Sequence, residues 1–138
     1  MHSADAAEAE FYAAFAAADL ARMRAVWAKT PDCLCIHPGG LPIEGYDSVL
    51  ASWADILGRS RPVELRCEPV SRVASADTVV STVYEHFSPP GAEDALAPVL
   101  ATNLYRRYGR EWQMVLHHAS PVVTRLPRTS RAEAATRH

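Results

Sequence analysis

The feature that most limits what this chain can fold into is a change of hydrophobic period at Pro62. Before it, apolar residues recur at helical spacing; after it, runs rich in Val, Thr and Tyr alternate with a period of two. Helices first and strands second cannot build alternating βα units, so the order predicts an α+β fold, an antiparallel meander packed on helices. With 138 residues there is material for one domain, which we place at 1–124, followed by an Arg- and Ala-rich tail at 125–138 expected to be disordered.

Phe11, Ala14, Phe15 and Ala18 lie on one stripe and predict a first helix over 5–18. Asp19 can cap a second, Leu20 to Lys29, with Leu20, Met23 and Trp27 on its apolar face and Thr30-Pro31-Asp32 as its stop. Cys33 to His37 reads as a short strand closed by Pro38-Gly39-Gly40. Val49, Leu50, Trp53, Ile56 and Leu57 define a third helix, about Asp47 to Leu57, with Gly58 at its C-cap.

Two hairpins follow. Val63 to Val73 and Thr78 to Phe87 flank Ala74-Ser75-Ala76-Asp77; Val99 to Arg107 and Glu111 to Thr124 flank Tyr108-Gly109-Arg110; Ser88 to Ala95 is a loop. Counting from the second turn pairs Arg107 with Trp112, Tyr105 with Met114, Asn103 with Leu116 and Ala101 with His118. One face then carries Asn103, Tyr105, Trp112, Met114, Leu116 and His118, and its apolar character assigns it to the core. His117 falls on the other face with Thr102, Leu104 and Val115, and a one-residue slip would exchange the two histidines. In the first hairpin the same count pairs Cys67 with Tyr84, Leu65 with His86, and Arg66 with Glu85 as a cross-strand ion pair. Pro69 is positioned to force a bulge that breaks this register, so its inward face stays open.

Charge narrows the function. Fourteen basic residues against sixteen acidic give no single-sign field, so neither nucleic acid nor a membrane surface is an expected partner. No apolar run reaches spanning length, and the first twenty residues hold four acids and no Lys or Arg, against a secretory signal. Three cysteines, Cys33, Cys35 and Cys67, read as reduced thiols of a cytoplasmic protein.

Several motifs together resemble one family. They are Cys35-Ile36-His37-Pro38-Gly39, Gly45 followed by Val49, Leu50 and Trp53, Ala101 to Arg106, Gly109 to Trp112, and Leu116-His117-His118-Ala119-Ser120-Pro121. The chain resembles the SnoaL-like proteins of the nuclear transport factor 2-like, or ketosteroid isomerase-like, superfamily over about residues 5–123. The resemblance implies a cone-shaped, curved sheet wrapped around three helices, a pocket between them, and homodimers through the sheet. Neither the Tyr and Asp pair of ketosteroid isomerase nor the Asp-Arg-Asp set of limonene epoxide hydrolase finds matching positions here, which disfavours both activities.

The candidate catalytic residues are His118 and His37. His118, on the concave face by register, would act as general base with Asn103 orienting a substrate oxygen; the alternative is a core imidazole satisfied by a backbone group. His37 is a candidate acid or base at a strand end, or else a histidine bonding a loop carbonyl. Trp53, Trp27, Tyr105 and Tyr84 are candidate substrate-binding walls and donors, with Tyr46 a further donor; ordinary packing is the competing reading of each. Metal ligation lacks CxxC, HxxxH or HxH spacing, and no serine elbow or phosphate loop occurs, so no metal or cofactor is expected.

The chain is therefore expected to bind a small apolar or aromatic carbonyl-type ligand, as a cofactor-free isomerase, dehydratase or cyclase. The alternative is a non-catalytic ligand-binding or protein-association module, since the superfamily also includes a kinase association domain. A half-apolar outer sheet face predicts a homodimer burying roughly 1,200 Å².

Overall fold

The computed structural model describes residues 1–88 and 97–123. The expected loop at Ser88 to Ala95 falls almost wholly outside these residues, as do the end of the last expected strand at Thr124 and the tail at 125–138.

Helix α1, Ala4–Ala17, starts where Ser3 accepts a hydrogen bond from the Ala6 amide. It ends at Ala18, which takes left-handed backbone geometry (φ 53°) without being glycine. The Asp19 amide returns to the Ala14 carbonyl, and the Asp19 carboxylate caps α2, Leu20–Val26, through the Arg22 amide. α2 is three residues shorter than the periodicity suggests. Trp27 is already extended and bridges Met114, and the Ala28 amide donates to the Met114 carbonyl. Trp27 is buried either way, which is why its spacing looked helical.

Strand β1, Leu34–Ile36, and β2, Ile43–Glu44, precede α3, Tyr46–Arg59. The link turns at Gly45, whose φ of 92° needs glycine, and the Gly45 and Tyr46 amides are tied to the Cys33 and Thr30 carbonyls. α3 runs through Gly58 rather than stopping there. Its end is set by Ser60, whose hydroxyl and amide donate to the Ile56 and Leu57 carbonyls.

The strands β3, Glu64–Ala74, β4, Thr78–Ser88, β5, Val99–Tyr108, and β6, Glu111–Pro121, complete an open six-stranded sheet ordered β2-β1-β6-β5-β4-β3. All pairings are antiparallel except β1 with β6. The three helices fill its concave side, giving the α+β cone expected.

The register departs from expectation in both hairpins: a one-residue bulge reverses the facing in each, and in β3–β4 the turn is also two residues off the count, with Val73 opposite Val80. In β5–β6 the turn sets Arg107 opposite Trp112 and Tyr105 opposite Met114, as counted. Val115 is then an extra residue on β6, so Leu104 meets Leu116, Asn103 meets His117 and Ala101 meets Ala119. A bulge of one residue inverts every side chain beyond it. His117 therefore faces the interior, 1% exposed, and His118 lies exposed on the outer face opposite Thr102. Leu116 likewise faces outward, opposite Leu104. In β3–β4 the bulge falls between Pro69 and Ser71, where Pro69 placed it. There Arg66 meets His86, and Glu85 meets Cys67. The expected Arg66–Glu85 pair does not form: Arg66 is exposed, and Glu85 turns inward with 1% exposure.

Candidate functional site

Phe11 of α1 touches Tyr12, Phe15, Trp27, Trp53 and His117 at ring-centroid distances of 4.8–6.5 Å. Inside this aromatic packing runs a continuous chain of polar groups. The Tyr12 hydroxyl donates to the Glu85 carboxylate at 2.7 Å. The Asn103 amide nitrogen donates to the same hydroxyl at 2.8 Å, so its carbonyl oxygen faces the His117 ring, 2.6 Å from Nδ1. Nδ1 must then carry the ring proton and donate it, which fixes the tautomer. The chain has one consistent direction, with His117 donating to Asn103, Asn103 to Tyr12 and Tyr12 to Glu85.

A branch leaves at Asn103. Its amide nitrogen lies 3.4 Å from Glu8 Oε1, which also accepts from the Ser81 hydroxyl at 3.0 Å. Tyr12 and Glu8 share a face of α1, four residues apart; Ser81, Glu85 and Asn103 point inward from β4 and β5.

Burial sets the protonation of these groups. Glu85 is pushed up to about 7, because desolvation outweighs the hydrogen bond from Tyr12, and the Glu8 charge adds to the rise. His117 is pushed down to about 3 by complete burial, so it is neutral at physiological pH. Burial also raises Glu8, against the hydrogen bonds from Ser81 and Asn103, and it raises Tyr12, next to Glu85. At neutral pH Glu85 sits where both of its protonation states are populated.

His37 lies at the edge of the same core. The Ser52 hydroxyl donates to the Val49 carbonyl, so His37 Nε2 carries the proton and donates to Ser52 at 3.0 Å. The Cys35 sulfur is 3.6 Å from the same nitrogen, and the His37 ring packs on Trp53 at 4.8 Å. This is not an activated thiol. Burial lifts Cys35 to about 12 and lowers His37, so both stay neutral and no thiolate–imidazolium pair forms.

Of the site residues expected from sequence, Asn103, Tyr105, Trp53 and Trp27 are buried in the interior, and His37 reaches it through Trp53. His118 and Tyr84 do not. Tyr84 alternates with the inward Glu85 and so lies on the outer face, near His86. Tyr46 is outside the core and donates to the Arg24 carbonyl. His118, Asn103 and His37 thus do not gather as one group. The residues missed were His117, Tyr12, Glu85, Glu8 and Ser81. Two open clefts lie elsewhere. One, of about 930 Å³, is lined by Arg24, Lys29, Glu44, Tyr46 and Asp47, and the other, of about 270 Å³, by Glu64, Arg66 and His86.

Cys33 and Cys35 are buried, Cys67 is half-buried, and all three are free. Among the described residues no three His, Cys, Asp or Glu side chains gather as a metal site, and no helix is long and apolar enough to cross a membrane.

A three-helix cone closed by a mixed, open sheet is the architecture of the nuclear transport factor 2-like superfamily, and solved structures agree. A candidate calcium/calmodulin-dependent protein kinase type II association domain from Thiobacillus denitrificans is similar at 40% identity and a TM-score of 0.84, over 87% of this chain and 95% of that one. A candidate dehydratase of the same superfamily from Streptomyces avermitilis follows at 27% identity and a TM-score of 0.75, over 87% and 94%. A ketosteroid isomerase-like protein from Erwinia carotovora, at 19% identity and a TM-score of 0.69 over 86% and 92%, shares the fold. Residues 5–124 match the SnoaL-like domain model, and the chain belongs to that family. Among curated proteins, the F-box protein SKIP8 of Arabidopsis thaliana is similar at 25% identity over 111 residues, 80% of this chain. The chain spans about half the length of that relative, 46%.

Proposed function

We propose that this chain is a small-molecule-binding protein whose interior performs cofactor-free acid–base chemistry of the isomerase, dehydratase or cyclase type. Glu85 takes the proton-transferring role that the sequence had suggested for His118. The observation that carries this reading is the hydrogen-bonded chain from His117 through Asn103 and Tyr12 to Glu85. A core has no packing reason to hold an inward carboxylate, a phenol, a carboxamide and an imidazole, since apolar residues of similar volume are often at least as stable. Tyr12 holds the carboxylate, Asn103 holds Tyr12, and His117 anchors Asn103, so a proton taken by Glu85 stays on that carboxyl group while Tyr12 keeps donating to it. The ligand expected is a small apolar or aromatic carbonyl compound, and the likeness to the candidate dehydratase from Streptomyces avermitilis supports the reaction class.

The test is exchange of ligand α-protons in deuterated buffer, followed by NMR over a panel of cyclic ketones and enones. The rate should rise with pH through about 7, and Glu85→Gln should lower it by roughly 10² to 10⁴. Exchange in Glu85→Gln equal to that of the parent would refute the assignment.

A second reading, a protein-association module, is favoured by the likeness to the Thiobacillus association domain and by the outer sheet face. That face carries Val80, Tyr84, Leu100, Leu104 and Leu116, all half-exposed, beside Thr102 and the exposed His118. A homodimer through it would cover these residues. Sedimentation of the parent and of Leu104→Glu tests this arm, the variant shifting a dimer to monomer.

A further inference from the structure

The outer face of the sheet is ordered in rows. Leu34 of β1, Leu116 of β6, Leu104 of β5, Val80 of β4 and Val73 of β3 are successive cross-strand partners, so one apolar row crosses five strands. The row beside it runs Ile36, His118, Thr102 and Thr82. His118 is therefore an exposed imidazole set against apolar and hydroxyl groups. Among the described residues no other titratable or charged group faces it from β1, β5 or its own strand, where its outward neighbours are Ile36, Thr102, Leu116 and Ser120. Outward charges stand at the rim: Glu44 on β2, Arg106 near the β5–β6 turn, and Glu64, Arg66 and Glu68 on β3.

Size and pattern point to the occupant. Strands β3 to β6 span about 20 Å across and about 30 Å along, so the face offers about 600 Å² per copy and about 1,200 Å² for two, enough for a stable interface. An apolar centre inside a charged rim is the anatomy of such an interface, and a second copy brings a matching row of leucines and valines. The helices fill the other side of the sheet, which leaves this face to the partner.

We propose that a second copy of this chain covers this face and that His118 makes the assembly pH-dependent, the dimer forming while both imidazoles are neutral and separating when they are protonated. The inference rests on the second reading above, the sheet-face dimer, and adds what controls it. Contact takes His118 out of water beside Ile36 and Leu116, with no neighbouring carboxylate among the described residues to offset an imidazolium charge. Histidine is the side chain that gains this charge between pH 8 and pH 5. The interior adds no charge of its own in acid: at pH 5.5 His117 stays neutral and Glu85 holds its proton, so the fold beneath the face is kept.

The test is sedimentation of the full chain over a concentration series at pH 8 and at pH 5.5. The dimer dissociation constant should rise by about a hundredfold in acid, about tenfold for each of the two histidines that must shed a proton to assemble. His118→Gln, polar but never charged, should give one dissociation constant at both pH values. His86, the other outward histidine, already donates to Glu68 at 2.9 Å, so His86→Gln should keep the response of the parent. A parent dimer of equal strength at both pH values would overturn the pH control and leave the dimer standing. So would a response that persists in His118→Gln or disappears in His86→Gln. A parent that is monomeric at both pH values at every concentration, or a dimer that survives Leu104→Glu, would overturn the sheet-face dimer, and the pH control with it.

Discussion

Replacing Glu85 by Gln should stabilise this protein in alkali and have no such effect in acid. Glu85 titrates near 7 in the folded chain and at the ordinary 4.5 when unfolded, because burial penalises its charged form. Below about pH 4.5 both states are protonated and the group is neutral to stability. As pH rises through 7 the folded state must hold a charge that the unfolded state carries freely, so stability is lost. At pH 8.5 the loss amounts to about 3 kcal/mol. Gln keeps the acceptor for the Tyr12 hydroxyl and cannot ionise. Its extra N–H donors subtract a roughly constant amount at every pH. Urea unfolding followed by fluorescence of the buried Trp27 and Trp53 measures both proteins at pH 5, 7 and 8.5. The stability difference, variant minus parent, should grow by about 2.5 kcal/mol from pH 5 to 8.5. A difference that stays flat with pH would refute the reasoning, because Glu85 would then be ionised without cost. His117 does not confuse the comparison. Its depressed value makes both proteins lose stability as pH falls from 6.5 toward about 3, and the loss cancels in the difference.

Other outcomes follow from the same geometry. His117→Ala should cost about 2–4 kcal/mol in urea unfolding, since it opens a cavity and strands the Asn103 carbonyl, whereas the exposed His118→Ala should stay within about 0.5 kcal/mol. Ala18→Gly should raise stability by about 0.5–1 kcal/mol, because the left-handed geometry at Ala18 strains any residue with a Cβ; a lower melting temperature would contradict this. Native Cys35 and Cys67, both pushed up to about 12, should react with a disulfide reagent at neutral pH far more slowly than in the unfolded chain.

The helices and hairpins were legible because their signals are local. Asp19 caps, Gly109 turns, and period two marks the hairpin strands. Parity along a strand is not local, because it accumulates every irregularity between the turn and the residue concerned. Pro69 announces its bulge through its missing N–H, but Val115 carries no such mark. The one trace is the unbroken apolar run Met114-Val115-Leu116, where strict alternation would have placed a polar residue. Glu85 was hidden for a related reason. Beside an Arg across the strand it reads as a surface ion pair, and only the tertiary approach of Tyr12 from α1 explains a carboxyl turned inward. Tyr12 itself sits next to Phe11 on a stripe that packing alone would account for.

β6 answers to two neighbours. Its first half is phased by the tight turn at Gly109, its second by parallel pairing with β1, where Leu34, Cys35 and Ile36 meet Leu116, His117 and His118. Val115 is the joint at which the two phases are reconciled. The bulge at Val115, rather than the identity of any polar residue, therefore selects which of two adjacent imidazoles becomes the interior one. A β6 that ran straight through Val115, without the bulge, would have its distal half turned over, with Leu116 and His118 against the helices and His117 outside. Asn103 would then face leucine. Loss of Val115 itself would remove the surplus residue and keep Leu116 opposite Leu104 and His117 opposite Asn103, so the polar interior depends on the bulge being made wherever that residue is present.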